Sequence, residues 1–349
     1  MVTGEDMRSR HILTAAFLPA ALLLGATVLW AQNAPAITKS VPIGAPDRWD
    51  YVVLDPSGTH AYIAHGDRIT VVDTVAGKVS GTLAVGGSTH GVVVLPGEAK
   101  GYAGDGQAGT VAVFDPKTLK IQKTIKAEKD ADGIVYDPKT GPVLVITGDS
   151  GKVVVIDPKT DTMLAEIDGG GALEFGAADG RGFFFVDGED KNEVVRMDLT
   201  TNRATAHWPL TGCKTPHGMA MDRLHRRLFA SCGNGVMDVV NADTGAVVAT
   251  LPIGQGSDFD AFDDVHQMAF SSNRDGTLSR IAERSPDKFE VLAPIKTRIG
   301  ARTMALDGRM GRAYTVASDV TEDPAIAVTA RGHYKTVPGS AALLFLDTK

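Results

Sequence analysis

The chain offers little to the chemistries that announce themselves by motif. Cysteine occurs only twice in 349 residues and no C-x-x-C-H is present, which excludes a covalent c-type haem. H-E-x-x-H, the G-x-x-x-x-G-K-S/T phosphate loop and the G-x-S-x-G elbow are all missing. Tryptophan occurs three times, once in the N-terminal apolar run, too few for an architecture built on tryptophan docking around a quinone. Positive charge is scattered: no Lys/Arg-rich run appears and the net charge is −7, so the basic stripe that nucleic acid requires is lacking. What is plentiful is glycine, at 39 residues, beside 43% hydrophobic and 22% charged residues, a composition that suits many short strands and tight turns.

The N-terminus stands apart from the rest. Arg8, Arg10 and His11 precede an apolar run, ILTAAFLPAALLLGATVLW, that ends before Ala31. This is the n-region and h-region of a secretory signal peptide covering residues 1–31, and it implies a periplasmic or secreted protein. Leu29 at the −3 position is larger than the ideal cleavage pattern, and an uncleaved anchor is the alternative. Pro19 inside the run and the soluble repeats after it favour cleavage, leaving no membrane span in residues 32–349.

The remainder of the chain is organised around the stretch from Asp47 to Gly87. WDYVVL, HAYIAH, RITVVD and VSGTLAV read as four strands, separated by the turns DPSG, GD and TVAGK. One such sheet cannot cover both its faces, and the sequence carries copies of it. The end of the third strand recurs at Asp73, Asp115, Asp157, Asp198, Asn241, Glu283 and Asp347, in steps of 42, 42, 41, 43, 42 and 64 residues. The first turn and the second strand recur in the same register. Seven copies of a four-stranded unit predict an all-β fold, a seven-bladed β-propeller.

These residues also carry a resemblance. AYIAHGDRITVVDTVAGKVSGTLAVGG resembles the YVTN-type repeat, and SSNRDGTLSRI and TVPGSAALLFL resemble segments of secreted YncE-like propellers. The likeness spans about residues 37–349 and departs from the pattern in blades 4 and 6, where the third-strand signature is degraded. It implies the fold. It does not imply an activity, because propellers host many.

Blades are expected at 47–87, 88–129, 130–171, 172–213, 214–256, 257–300 and 301–349. The last repeat stops after its third strand, while SVPIG (Ser40 to Gly44) matches the blade ending TLPIG. Residues 37–43 are therefore expected to supply the outer strand of blade 7, a disordered tail being the alternative. Cys213 precedes the innermost strand of blade 5 and Cys232 ends the neighbouring strand. Both fall on one face, so a disulfide is expected in an oxidising compartment. An insertion in blade 7, Asp319 to Ser340, carries Arg331, His333, Tyr334 and Lys335, and reads either as part of a lid over the channel or as a surface loop.

The candidate site emerges from alignment of the blades. Five residues before each first-turn position stand Asp50, His90, Asp132, Glu174, His217, Asp258 and Arg302, one per blade, at the start of strands that are otherwise apolar or small. Carboxylates and imidazoles converging on one axis suit a divalent cation. Asp132, Glu174, His217 and Asp258 are the expected metal ligands, with Arg302 placed to clamp an anionic group or neutralise Asp258. Zn²⁺ or Mn²⁺ would be favoured if His217 ligates and Ca²⁺ if only carboxylates do. The same groups suit acid–base chemistry. The expected function is an exported binding or scaffold protein, a monomer, whose channel mouth takes a small molecule, a protein or a cation. The competing class is a metal-assisted hydrolase of lactonase type using the same residues, and solvated mouth residues with no ligand are the bland alternative.

Overall fold

The computed structural model describes residues 37–97, 99–327 and 332–349. Residues 1–31 and Arg331 lie outside them. The described residues form seven four-stranded antiparallel sheets and one small two-stranded ribbon, with no helix. The seven sheets are the blades of a propeller. Their innermost strands are Val52–Leu54, Thr89–Val94, Ala131–Tyr136, Leu173–Ala178, Pro216–Asp222, Ser257–Asp263 and Met304–Asp307. Each packs against its two neighbours, and the last packs against the first, so the ring is closed.

Burial explains the strand composition. The second and third strands of a blade are sandwiched between adjacent blades, so they read as nearly continuous apolar runs. Val143–Thr147 is buried throughout, as are the central residues of Lys152–Asp157. The outer strand Lys120–Lys126 is exposed at every position except Ile125, and its lysines blunt the free edge. The recurrent Asp at the end of the third strand opens the next hairpin. Asp73 Oδ1 accepts from the Val75 and Ala76 amides at 2.9 and 2.7 Å, Asp115 does the same for Lys117 and Thr118, and Asn241 for Asp243 and Thr244. Blade 6 departs from the repeat because its outer hairpin is longer, with strands Thr277–Ser285 and Lys288–Lys296 running past the usual turn.

Closure takes the expected route. The N-terminal strand Ile37–Pro42 pairs antiparallel with the C-terminal strand Ala342–Asp347, with Val41 opposite Leu343, and the Ile43 amide continues the ladder to Ala341 O at 2.8 Å. Val41 is buried with Tyr314, Leu343 and Phe345. The disulfide also forms: Cys213 and Cys232 are bonded and buried, and Cys232 lies opposite Pro216 in the sheet, next to His217.

The blade 7 insertion contains a ribbon in which Val320–Glu322 pairs with Tyr334–Thr336. Two of its described polar side chains bond within it. His333 Nδ1 pairs with Ile326 O at 2.7 Å, and Lys335 Nζ donates to Asp323 at 2.9 Å. Asp47 clasps both ends of the insertion, accepting from Ser318 Oγ at 2.8 Å, from the Ala341 amide at 3.0 Å and from the Gly339 amide. Burial opposes ionisation of Asp47, but the bonds from Gly339, Ser318 and Ala341 outweigh it and hold its carboxyl below the usual range.

Candidate functional site

The seven polar positions stand at or just before the starts of the innermost strands, as the repeat register predicts. In blades 2 to 6 the pairing with the second strand slips there, between Thr89 and Val92, Ala131 and Ile134, Leu173 and Gly176, Pro216 and Gly218, and Ser257 and Phe259. His90, Asp132, Glu174, His217 and Asp258 each sit inside such an irregularity, the kind of feature that re-aims a side chain out of strict alternation. Neighbouring strands also approach very closely. A Cβ on Gly91 would lie 2.1 Å from Asp132 O, so only glycine lets blades 2 and 3 come together behind His90.

The side chains then meet from blade to blade. His90 Nδ1 lies 2.7 Å from Asp50 Oδ2 and 3.8 Å from Asp132 Oδ1, and its Nε2 is 2.8 Å from Ser88 Oγ. His217 Nδ1 lies 3.6 Å from Glu174 Oε1, with Glu189 Oε1 3.8 Å from its other nitrogen. Asp258 is held by Arg274 at 2.8 Å and by Arg302 Nε at 2.9 Å, and Arg302 also reaches back to Trp49 O at 2.8 Å. All seven side chains are partly shielded, between 10% and 28% exposed.

The ring thus divides into three groups. Asp50, His90 and Asp132 place one ligand atom each within 4.8 Å of one another. Glu174 and His217 form a pair, and Asp258 is neutralised by two arginines. Of the four residues expected as metal ligands, Asp132 lies in the convergent trio. Glu174 and His217 face each other at 3.6 Å, and Asp258 is engaged by cations.

The electrostatics are uneven around the ring. Burial, then the charges of Asp50, Glu174, Asp130 and Asp258, push Asp132 well above the carboxylate range. Its Oδ1 is buried with no hydrogen-bond partner. Burial also raises Glu174, against the opposing pull of His217. Burial would lower both imidazoles, but the Asp50 contact raises His90 overall and the Glu174 contact raises His217.

Three aromatic rings floor the site, which the sequence reading missed. Tyr51 stacks at a tilt on Phe175 with centroids 5.0 Å apart. Phe259 lies 5.8 Å from Tyr51 and 4.8 Å from Phe175. They come from blades 1, 4 and 6, so they meet across the axis, and each stands immediately after a ring residue: Asp50, Glu174 or Asp258. An aromatic residue repeated at that offset was the available signal. Burial and then the charges of Asp132, Glu174, Asp50 and Asp258 push the Tyr51 hydroxyl well up. The polar ring is therefore a cup with an apolar floor. Beside it, Arg48, Ser88, His90, Gln107, Lys129 and Asp130 line a cavity of about 400 Å³. Among the described residues, no helix is long and apolar enough to cross a membrane.

No protein-family model matches this chain, and no curated protein sequence does either. Solved structures do. Hydrazine synthase from Kuenenia stuttgartiensis is similar at 16% identity with a TM-score of 0.68, over 77% of this chain and 92% of that one. The WD40 repeats of RRP9 are similar at 9% identity with a TM-score of 0.74, over 90% and 98%. At these identities the likeness is one of fold, a propeller scaffold.

Proposed function

We propose that this chain is an exported binding protein of the YncE-like, YVTN-repeat kind, whose axial cup holds a divalent cation between Asp50, His90 and Asp132. The cation binds alone or as part of a small ligand. Residues 1–31 act as the export signal, residues 32–349 are the working domain, and the Cys213–Cys232 bond suits an oxidising compartment.

The observation that carries this reading is Asp132. Its Oδ1 is buried and unpaired, and the charges of four further carboxylates press on it. Among the described residues Arg302 and Arg274 are committed to Asp258, and the His90 imidazole is drawn to Asp50, so the Asp132 oxygen is left without a direct partner. A cation would supply one. The mixed oxygen and nitrogen donors favour Zn²⁺ or Mn²⁺ over Ca²⁺. Glu174, His217 and Glu189 on the far side of the cup would bind a polar group of the same ligand, and the aromatic floor would exclude water beneath it.

The test is the number of divalent ions bound by the tag-free protein at saturation. The combined variant His90→Ala, Asp132→Asn should bind one equivalent fewer than wild type; an unchanged stoichiometry contradicts the site. A hydrolysis screen on lactones and phosphoesters separates binding protein from enzyme. Turnover that disappears in the same variant would assign the cup to hydrolysis, as the metal-assisted alternative requires.

A further inference from the structure

A second convergent cluster lies at the other end of blade 5. His217 and Asp222 are five residues apart on one strand, about 16 Å along it, so this cluster is remote from the cup. It is built from a departure in the repeat. Where blades 1, 2 and 5 end their third strand in an Asp or Asn that caps its own hairpin, blade 6 has Glu283. The hairpin there continues to Ser285, so no cap is required. The longer side chain is instead fully buried and turns toward the first turn of blade 5, where Asp222 and His225 stand three residues apart.

His225 Nδ1 lies 2.6 Å from Asp222 Oδ2 and 3.1 Å from Glu283 Oε1. Neither contact has the alignment of a hydrogen bond: His225 Nδ1 and both oxygens of Glu283 are buried without a hydrogen-bond partner. Asp222 Oδ1 accepts from the Leu224 amide at 2.8 Å and Oδ2 from the His225 amide at 3.2 Å, which fixes the carboxylate with Oδ2 at the cluster. The nearby cation, Arg227, is already committed to Pro286 O, His225 O, Arg226 O and Asp287. Two buried carboxylates and one imidazole therefore converge, with their ligand atoms within 4.8 Å of one another and both Glu283 oxygens lacking a hydrogen bond.

We propose that Asp222, His225 and Glu283 form a second divalent-cation site, taking Zn²⁺ or Mn²⁺, that staples blade 5 to blade 6. Metal bonds of about 2.0–2.2 Å set neighbouring donors roughly 3.3 Å apart. A small rotation of the His225 ring, whose side chain is 29% exposed, gives that spacing. The same exposed edge admits the ion and leaves room for a water as fourth ligand. Blade 5 is then pinned at both ends, by Cys213–Cys232 at the cup and by the cation at the opposite face.

The site is tested by titrating chelator-treated, tag-free protein with Zn²⁺ in a calorimeter, and by recording the visible absorption of bound Co²⁺. In the cup variant His90→Ala, Asp132→Asn, one Zn²⁺ should still bind and Co²⁺ should show bands of mixed oxygen and nitrogen ligation. Adding Glu283→Gln should weaken that binding at least tenfold and remove the bands. Without metal, Glu283→Gln should melt at or above wild type, because it removes a buried carboxylate that has no hydrogen bond. Should that variant fail to fold, His225→Ala, altering a partly exposed side chain, gives the same reading. Loss of all Zn²⁺ binding in the cup variant alone, or equal binding after Glu283→Gln or His225→Ala, would overturn the second site. That result would leave the cup untouched.

Discussion

Asp50 and Asp132 share one imidazole unequally: His90 Nδ1 sits 2.7 Å from Asp50 Oδ2 but 3.8 Å from Asp132 Oδ1, which has no hydrogen-bond partner. The three residues come from three consecutive blades, and Gly91 allows the close approach that joins them. Asp132 is left as the group with the most to gain from a cation.

This asymmetry gives a pH-dependent prediction. Burial and the carboxylates around it raise the Asp132 carboxyl in the folded state, whereas in the unfolded chain it ionises near its ordinary value of about 3.9. Folding then takes up a proton, and stability falls as pH rises from about 4 toward the raised native value. In chelator, Asp132→Asn should therefore be more stable than wild type at pH 7, by about 1–3 kcal/mol. The advantage should vanish near pH 4. Thermal melts of both proteins between pH 4 and pH 8 check it; a variant less stable at pH 7 would contradict it.

His90 moves in the opposite sense. The Asp50 contact outweighs burial and raises its folded value, so its contribution is complete below the unfolded value of about 6.5 and is lost as pH rises through the folded one. In chelator, wild type should exceed His90→Gln in melting temperature most at pH 6 or below, and the gap should narrow at alkaline pH. A gap that widens as pH rises would show that the imidazole is not held as a cation.

Ring closure depends on the N-terminal strand. Deleting residues 32–46 removes the pairing of Ile37–Pro42 with Ala342–Asp347 and strips the cover from Leu343 and Phe345. The melting temperature should fall sharply. Val41→Asp, which forces an unpaired carboxylate into that cluster, should cost several kcal/mol, on the order of 3. Near-native melting of either protein would contradict closure by this strand.

The disulfide closes a separation of 19 residues within one blade. Unfolded without reductant, the protein should show no free thiol, and Cys213→Ser with Cys232→Ser should lose about 2–4 kcal/mol. Two titratable thiols would contradict the bond.

What was legible in the sequence is what repeats. The third-strand Asp marks each blade because it caps a local hairpin, and SVPIG declares itself as a blade ending because the outer strand has its own pattern. The two cysteines were readable because adjacent antiparallel strands put their ends on one face. The ring was readable as a register, but its partition was not. Whether His217 turns to Glu174 or Asp258 depends on bulges and on Arg274, which stands just after the second strand where blades 2, 3 and 5 carry glycine. The floor of Tyr51, Phe175 and Phe259 joins residues more than 80 positions apart across the axis, beyond any local pattern. Glu283 read as a degraded signature, and the structure places it in a buried cluster with the next blade.

The cation in the cup is tested most directly by melting temperature in a Glu283→Gln background, where the blade 5–blade 6 cluster contributes nothing. With chelator removed and Zn²⁺ or Mn²⁺ at about a hundredfold excess over its dissociation constant, the folded state should gain about 2.7 kcal/mol and melt correspondingly higher. Adding His90→Ala and Asp132→Asn should abolish the rise. No rise with either metal, or an equal rise after those two substitutions, would contradict a cation held by Asp50, His90 and Asp132.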